Sequence, residues 1–376
     1  MDMMISVMLY LTTLTVTFFM VKVQYRRSVM VTSRELYPSK RKDTTMTTAM
    51  IIGIAALFTV YNIVITKMHS TVASDRANYA LNFYGYRTSP NEGLTFVINV
   101  IRHFSDNVEI LYYVSTLIPI AITLIAYKVC EDSSPIAFLF LFCTQYLFHT
   151  FAGLKQCYAN AFACLCIAFA LRNKGVKDTV FSILSIMLAI WFHHTGYFLI
   201  LIYVMLRIKK SRKTLFMFFV IMTALVFFLE PVLLRASSLI SPFVPILSSR
   251  IRVYFGETAS ILGEGKLTLF KGIPYYILTI VGLIKRRQLV DTIENYDNYL
   301  FLSSVTSFIY IATIYNGWIY RLSYFFYFPA GVFYGLLMRA MRNMNNRRII
   351  GVMTLGLSLM LTVRFLILTY VNYGGF

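Results

Sequence analysis

Residues 179–206 decide the fold, and they read TVFSILSIMLAIWFHHTGYFLILIYVML. Two apolar runs flank the turn WFHHTG at 191–196, and a basic cluster lies beyond the outer end of each run. The clusters contain Arg172, Lys174 and Lys177 before the first run, and Arg207, Lys209, Lys210, Arg212 and Lys213 after the second. Because Lys and Arg accumulate on the cytoplasmic side of membrane helices, the pattern predicts a membrane hairpin with its histidines at the far side.

Each half of this hairpin is shorter than the roughly 20 apolar residues that a bilayer core requires. Two arrangements satisfy the same charges, a pair of tilted spans or a re-entrant pair. Irregular backbone at membrane depth is tolerated only where protein or a water-filled cavity surrounds it. Both arrangements therefore predict a polar cavity beside His193 and His194.

The rest of the chain is similarly apolar. Of its 376 residues, 58% are hydrophobic and only 14% are charged, which is more apolar side chain than a soluble domain can cover. We therefore predict an all-α polytopic membrane protein whose single integral membrane domain extends over residues 1–376. About 12 transmembrane helices are expected from the apolar runs, at 3–22, 46–66, 108–129, 135–152, 156–171, 179–192, 196–206, 214–234, 269–284, 299–315, 322–338 and 349–370.

The net charge of +19 would indicate nucleic-acid binding in a soluble protein. In a membrane protein, the loops that set the orientation are rich in Lys and Arg, and this rule accounts for most of the basic excess. Asp2 is the only charge before the first run, whereas Lys22, Arg26 and Arg27 follow it. We therefore expect both termini outside, with the lipid bilayer and not nucleic acid as the partner.

Two predicted extracytoplasmic loops, 67–107 and 235–268, are long enough to form structure of their own. In the first, Asp75 and Tyr79 share one face if the loop begins as a helix, and 94–103 is expected to form a short interfacial helix. An aspartate can take the proton of an attacking hydroxyl, and aromatic rings pack against the CH faces of sugars. The alternative for Asp75 is a solvated charge or an ion pair with a neighbouring arginine.

Basic residues lie at several other predicted outer positions, namely Lys155, Arg250, Arg252 and Arg321. A charge between two apolar spans is costly, so Lys155 is interpreted either as functional or as reaching the membrane interface with its long side chain. A planar guanidinium grips two phosphate oxygens at once. If these side chains converge, they form a diphosphate site.

The histidine pair has two interpretations. The first is a helix turn packed by imidazoles whose hydrogen bonds are satisfied, and the second is a donor to a substrate phosphate or a proton carrier. A zinc site is not expected, because the sequence has no HExxH and no cysteine at the predicted outer face. The sequence also has no GxGxxG, no GxSxG and no P-loop motif, which argues against the common nucleotide-binding and hydrolase classes.

Four groups of residues, taken in order, resemble the EpsG/Wzy type of bacterial polysaccharide polymerase. They are Asp75-x3-Tyr79-x3-Phe83 with Glu92-Gly93, then Leu154-Lys155-Gln156-x2-Ala159, then Phe192-His193-x-Thr195, and finally Arg321-Leu322 with Tyr324. Lys155 stands where the family often has Arg, so a compact ammonium group replaces a planar guanidinium that could bind two phosphate oxygens. Gly196 stands where Ala is more usual, and we expect this replacement to be neutral.

The resemblance implies a GT-C-like membrane glycosyltransferase of the bacterial cytoplasmic membrane, with its active site facing outside. It would transfer a growing glycan from an undecaprenyl-diphosphate-linked oligosaccharide donor to a sugar hydroxyl of a lipid-linked acceptor, releasing the lipid diphosphate. It implies no cofactor and no metal, and a chain-length regulator is left open as a further partner. The implied roles are catalysis by Asp75 and His193, diphosphate binding by Lys155, Arg250, Arg252 and Arg321, and sugar binding by Tyr79, Phe83, Glu92, Tyr254 and Trp318.

Two other functions are compatible with the same apolar pattern. A lipid-linked oligosaccharide flippase or other transporter should have broken helices and charges near the midplane. Here the candidate charges gather at outer turns, and only Arg364 lies deep in a predicted span. A ligase or a single-sugar transferase on the same scaffold is not separated from a polymerase by these residues.

Overall fold

A computed structural model describes residues 74–87, 92–130, 137, 153–208, 210–211, 213–218, 220–221, 234–239, 241–242, 272–313, 317–344, 346–353 and 356, without the side chains at 74–77, 317–320 and 342–343. The regular structure of these residues is helical and contains no strand. The chain divides into two compact units, Met1–Met205 and Leu206–Phe376.

The first unit is a series of helices that ends in the hairpin around the WFHHTG turn. Its described elements are α1 (Ser74–Phe83), α2 (Glu92–Phe104), α3 (Val108–Val129), α4 (Leu154–Arg172), α5 (Val176–Phe192), a 3-10 turn (His194–Tyr197) and α6 (Phe198–Arg207), whose last residues pass the boundary of the unit. The predicted loop 67–107 thus contains α1 and α2, and the predicted helix at 94–103 lies within α2.

Helix α4 is the central helix of this unit and packs against both α3 and α5. Its buried positions are mostly small, with alanines at 159, 161, 163, 168 and 170 and cysteines at 157, 164 and 166. Small side chains let neighbouring helix backbones approach closely, which is how helices pack in membranes. The small residues of α4 therefore explain how one helix contacts two partners.

Helices α3 and α4 are the two described helices that are long and apolar enough to cross a membrane. The bounds of α3 coincide with the predicted span 108–129. Its first turn is capped by Asn107, whose side chain accepts a hydrogen bond from the backbone N–H of Glu109 at 2.9 Å. The total of about twelve spans and the GT-C-like architecture stay predictions.

The connection between α4 and α5 is short and tied by one acidic residue. Asn173, in the left-handed conformation (φ 43°), ends α4, and Gly175 (φ 106°) precedes α5. The Asp178 carboxylate accepts hydrogen bonds from Arg172 Nε at 3.0 Å and from the backbone N–H of Lys174 at 2.7 Å, and Arg172 Nη2 also donates to it. This carboxylate therefore joins the start of α5 to the end of α4.

The second unit contains α7 (Ile273–Leu289), α8 (Tyr296–Ala312), a 3-10 segment (Gly317–Phe326) and α9 (Tyr327–Asn343). Helix α8 packs against α7, α9 and the 3-10 segment. At one end of the α7–α8 pair, Arg286 donates to both carboxylate oxygens of Asp297, at 2.7 and 2.6 Å. A contact through two parallel hydrogen bonds fixes the relative orientation of the two side chains in addition to pairing their charges.

The core of this unit contains buried hydroxyl groups. The hydroxyls of Tyr310 and Tyr327 are 2.7 Å apart, and Ser323 Oγ lies within hydrogen-bond distance of both, at 3.1 and 3.2 Å. Ser323 belongs to the 3-10 segment, and the two tyrosines belong to α8 and α9. The cluster therefore holds the 3-10 segment, which also carries Arg321, against the helices.

Candidate functional site

The WFHHTG turn is built by a change of backbone conformation at His193. Helix α5 ends at Phe192, and His193 is extended (φ −156°, ψ 134°) before the 3-10 turn begins. The backbone N–H of Gly196 donates to the His193 carbonyl at 2.8 Å. The chain then reverses and continues as α6.

Gly196 allows this reversal because its backbone lies against the end of α5. A Cβ at this position would lie 2.5 Å from the backbone nitrogen of Ile190 and 2.6 Å from the carbonyl carbon of Ala189. The expectation that Gly196 is a neutral replacement for Ala is therefore wrong, because an alanine would require a shift of the backbone.

A hydrogen-bonded network joins the turn to the beginning of α4. Thr195 Oγ1 lies 2.7 Å from His193 Nδ1, and Gln156 Nε2 donates to Thr195 Oγ1 at 3.2 Å. Gln156 Nε2 also donates to Asn160 Oδ1 at 3.1 Å, one turn further along α4. Gln156 and Asn160 are 7% and 2% exposed, so this part of the network lies inside the protein. Burial of a polar side chain there costs free energy unless the side chain is hydrogen-bonded.

Aromatic packing holds the beginning of α2 against the same turn. A Cβ at Gly93 would lie 3.0 Å from the Phe192 ring and 3.1 Å from the Trp191 carbonyl oxygen, so a small residue is needed there. The rings of Phe96 and Trp191 are 5.5 Å apart between centroids. On its other side, Phe192 stacks on Tyr158 of α4 at 4.4 Å.

These contacts bring together three of the predicted site residues. Glu92 is exposed in the first turn of α2 and precedes Gly93, and Lys155 is half-buried in the first turn of α4 and precedes Gln156. His193 is half-buried in the turn. Gly93 and Gln156 both lie against residues of this turn. The starts of α2 and α4 therefore lie against the turn of the hairpin, and we call these three segments together the turn site.

The structure places the predicted aromatic residues of α1 in a different role. Tyr79 and Phe83 are 4% and 1% exposed and pack in an apolar cluster with Leu94 and Ile98 of α2. A buried ring has no free face for a sugar, so both residues fit a packing role and not the predicted sugar contact. Asp75 lies in the first turn of the same helix, and its side chain is outside the described part of the structure.

Two tyrosines that follow α1 have the exposure that Tyr79 and Phe83 lack. Tyr84 and Tyr86 are 50% and 80% exposed, on either side of Gly85 in the left-handed region (φ 81°). The backbone N–H of Tyr86 donates a hydrogen bond to the carbonyl of Leu81 at 2.9 Å, which is a common way for a helix to end. These rings present aromatic surface outside the core.

The remaining predicted residues lie elsewhere in the chain. Arg321 is half-buried in the 3-10 segment of the second unit, and Trp318 is in the same segment, with its side chain outside the described part. Arg250, Arg252 and Tyr254 lie outside the described residues. Within the described residues, no group of three His, Cys, Asp or Glu side chains is arranged to hold a metal ion.

Sequence reasoning did not give a role to Gln156, Thr195 or Asn160. A signal was present for the pair on α4, because Gln156 and Asn160 are polar residues four positions apart in an otherwise apolar helix. Their link to Thr195 joins residues 39 positions apart, and periodicity carries no information at that separation. The half-buried His193 imidazole and Lys155 ammonium are of the chemical types that bind a phosphate ligand.

The chain was compared with known families, curated proteins and solved structures. A model described as the EpsG family matches residues 50–375, which include every candidate residue discussed above and confirm the predicted resemblance. No curated protein and no solved structure matches the chain. The family match supports a membrane protein of polysaccharide biosynthesis with a polymerase-like function.

Proposed function

We propose that this chain, which belongs to the EpsG family, joins oligosaccharide repeat units carried on undecaprenyl diphosphate at the outer face of the bacterial cytoplasmic membrane. The observation that carries the proposal is the turn site itself. Glu92, Lys155 and His193 come from three separate stretches of sequence, and packing of α2, α4 and α5 brings their positions to one region. A site that joins a cation to hydrogen-bonding groups suits an anionic glycolipid.

The reaction is the attack of an acceptor hydroxyl oxygen on the anomeric carbon of the donor sugar. The bond from that carbon to the diphosphate oxygen breaks, the lipid diphosphate leaves with the electron pair, and the hydroxyl proton passes to the Asp75 carboxylate as the general base. Negative charge builds on the departing diphosphate. Fixed cations that meet this charge stabilise the transition state more than the bound substrate.

Lys155 and Arg321 are proposed as two of these cations, with Arg250 or Arg252 as a third. His193 is proposed to donate a hydrogen bond to a diphosphate or acceptor oxygen. Since the leaving group is already a lipid diphosphate, the reaction needs no nucleotide sugar.

Sugar contacts are proposed for exposed groups of the predicted outer segments. Glu92 is exposed at the start of α2, and a carboxylate accepts hydrogen bonds from sugar hydroxyls. Tyr84 and Tyr86 offer exposed rings that can stack on sugar CH faces, and Trp318 and Tyr254 remain proposed contacts of the same kind.

The test is a reconstitution of the purified protein in lipid vesicles with lipid-diphosphate-linked repeat units. A ladder of longer lipid-linked products is expected, together with release of undecaprenyl diphosphate. Movement of the substrate across the bilayer without a new glycosidic bond would instead identify a flippase. Transfer of one unit only, without a ladder, would identify a single-addition transferase.

Variants with matched controls test the proposed roles. Asp75→Asn is expected to abolish the ladder, and Lys155→Ala and Arg321→Ala to slow it by about 10²-fold, the usual effect of removing one group that stabilises transition-state charge. The controls are Lys177→Ala and Arg287→Ala, which remove exposed cations near the predicted cytoplasmic ends of helices. Full polymer length with Asp75→Asn would remove the general base from the mechanism.

A further inference from the structure

The imidazole of His193 receives two hydrogen-bond contacts at the same ring nitrogen. The backbone nitrogen of Thr195 is 3.2 Å from Nδ1, and Thr195 Oγ1 is 2.7 Å from it. A backbone N–H can only donate, so Nδ1 must present its lone pair. The ring proton of the neutral imidazole therefore resides on Nε2.

The hydroxyl of Thr195 agrees with this assignment. Because Nδ1 carries no proton, the short contact at 2.7 Å requires the Thr195 hydroxyl to donate to the ring. A hydroxyl has one proton, so its oxygen must then accept from its other neighbour. Gln156 Nε2 is placed to donate to it at 3.2 Å, whereas the competing contact from the hydroxyl to Gln156 Oε1 is longer, at 3.4 Å.

The contact with Asn160 fits the same orientation of the Gln156 amide. Gln156 Nε2 has two protons, and the second is donated to Asn160 Oδ1 at 3.1 Å. Both amides are buried on α4, which packs between α3 and α5. Reversing the Gln156 amide would place two oxygen acceptors against each other inside the protein, which is unfavourable.

We infer that Gln156 and Thr195 are positioning residues that hold His193 as the neutral tautomer with its proton on Nε2. Donation runs in one direction, from Gln156 to Thr195 and from Thr195 to His193 Nδ1. At Nε2 the His193 ring is thus a hydrogen-bond donor and not a base. What Nε2 meets rests on the proposed function, in which it donates to an oxygen of the diphosphate or the acceptor sugar.

Nitrogen-15 NMR of the full-length protein in lipid nanodiscs tests the tautomer directly. The chain has five histidines, and the signals that His193→Gln removes identify those of His193. At about pH 8.5, well above the usual histidine pKa of about 6.5, the His193 ring is expected to show a protonated Nε2 and an unprotonated Nδ1. A protonated Nδ1 in the wild-type protein would overturn the inference.

Two substitutions test the positioning residues. Gln156→Glu replaces the donor by a carboxylate, which draws the Thr195 proton away from the ring, so the His193 proton is expected to move to Nδ1 or the ring to become doubly protonated. Thr195→Val removes the hydroxyl and keeps the backbone N–H on Nδ1, so the proton is expected to stay on Nε2 while the Nδ1 signal shifts through loss of its shorter hydrogen bond. Thr195→Ser should keep the wild-type spectrum, and so should Ser185→Ala, whose hydroxyl bonds within α5 to the Phe181 carbonyl.

Unchanged His193 signals in both Gln156→Glu and Thr195→Val would overturn the positioning role. Since the spectrum reports the ring and not turnover, it is independent of the polymerase assay. In that assay, Thr195→Val is expected to be about tenfold slower, as one lost hydrogen bond implies, with Thr195→Ser near wild type. If the wild-type protein shows the proton on Nε2 and the His193→Gln variant is fully active, the catalytic role of His193 is refuted. The assignment of the tautomer then still stands.

Discussion

At the scale of the single residue, Gly196 shows how closely the turn site is built against α5. We expect Gly196→Ala to lower the free energy of unfolding by about 1–3 kcal/mol, the usual cost of overpacking, because its Cβ would meet the backbone at Ile190. The measurement is the thermal denaturation of purified protein in detergent.

The matched control for this prediction is Gly351→Ala. Gly351 is an exposed helical glycine with no atom within 4 Å of the place of its Cβ, so alanine is expected to stabilise the helix by about 0.5–1 kcal/mol. Equal melting temperatures for the two variants would contradict the close approach at Gly196.

Asp178 predicts a pH dependence of stability. The Arg172 guanidinium, hydrogen-bonded to Asp178, holds the pKa of that carboxyl below its usual value; the Lys174 backbone N–H adds to this, and burial opposes it. Because the pKa is depressed in the folded state, the stabilisation is fully present above the unfolded value of about 3.9 and is lost as pH falls through the folded value.

Asp178→Asn is therefore expected to lower the free energy of unfolding by about 2 kcal/mol at neutral pH, since it weakens charge-assisted hydrogen bonds. The difference from wild type should shrink as the pH falls below about 4. The measurement is the denaturation of the wild-type protein and of Asp178→Asn at neutral and at acidic pH. Asp106→Asn, an exposed aspartate in the turn before α3, is the control, and a difference that grows on acidification would contradict the assignment.

At the scale of the element, the docking of α2 on the turn can be followed through Trp191. The chain has two tryptophans, so Trp318→Phe leaves Trp191 as the only one. In that background, Phe96→Ala should shift the emission to longer wavelength, because loss of the ring at 5.5 Å admits water to the indole. Phe104→Ala removes a ring of the same helix that is 81% exposed and should leave the spectrum unchanged; a shift of equal size there would argue against the α2 contact.

The elements were predictable where local sequence determines them. An apolar run long enough to cross a bilayer predicted α3 at its observed bounds. The predicted span 322–338 began too early, because α9 starts at Tyr327 and the residues before it form the 3-10 segment. Ser323 of that segment bonds to side chains of two helices, and such tertiary contacts leave no mark in local periodicity.

The same distinction applies to the turn site. The WFHHTG turn was predicted from two apolar runs and their flanking charges, which are local features. The burial of Tyr79 and Phe83 was missed because the spacing on α1 gives the face of a helix but not the partner that covers it, here α2. The Gln156–Thr195 contact was missed for the same reason.

At the scale of the whole molecule, the charge pattern predicts opposite membrane sides for the two ends of the hairpin. In a variant with all five native cysteines replaced, His194→Cys should react with a membrane-impermeant maleimide in intact cells, whereas Lys213→Cys should react only after permeabilisation, because basic residues stay on the cytoplasmic side. Labelling in the reverse order would place the turn site in the cytoplasm and exclude the proposed outer-face reaction.

Because the two helices of the hairpin are short, the position of the turn site is expected to depend on the thickness of the bilayer. Helix α5 has 17 residues and α6 has 10, so at 1.5 Å per residue they measure roughly 25 and 15 Å, against a hydrocarbon layer of about 30 Å. Such hydrophobic mismatch is relieved by thinning of the lipid or by burial of the short segment within protein. Acyl-chain length should thus set the depth of His193 relative to the headgroups, and with it the access of the proposed lipid-diphosphate substrate to that residue.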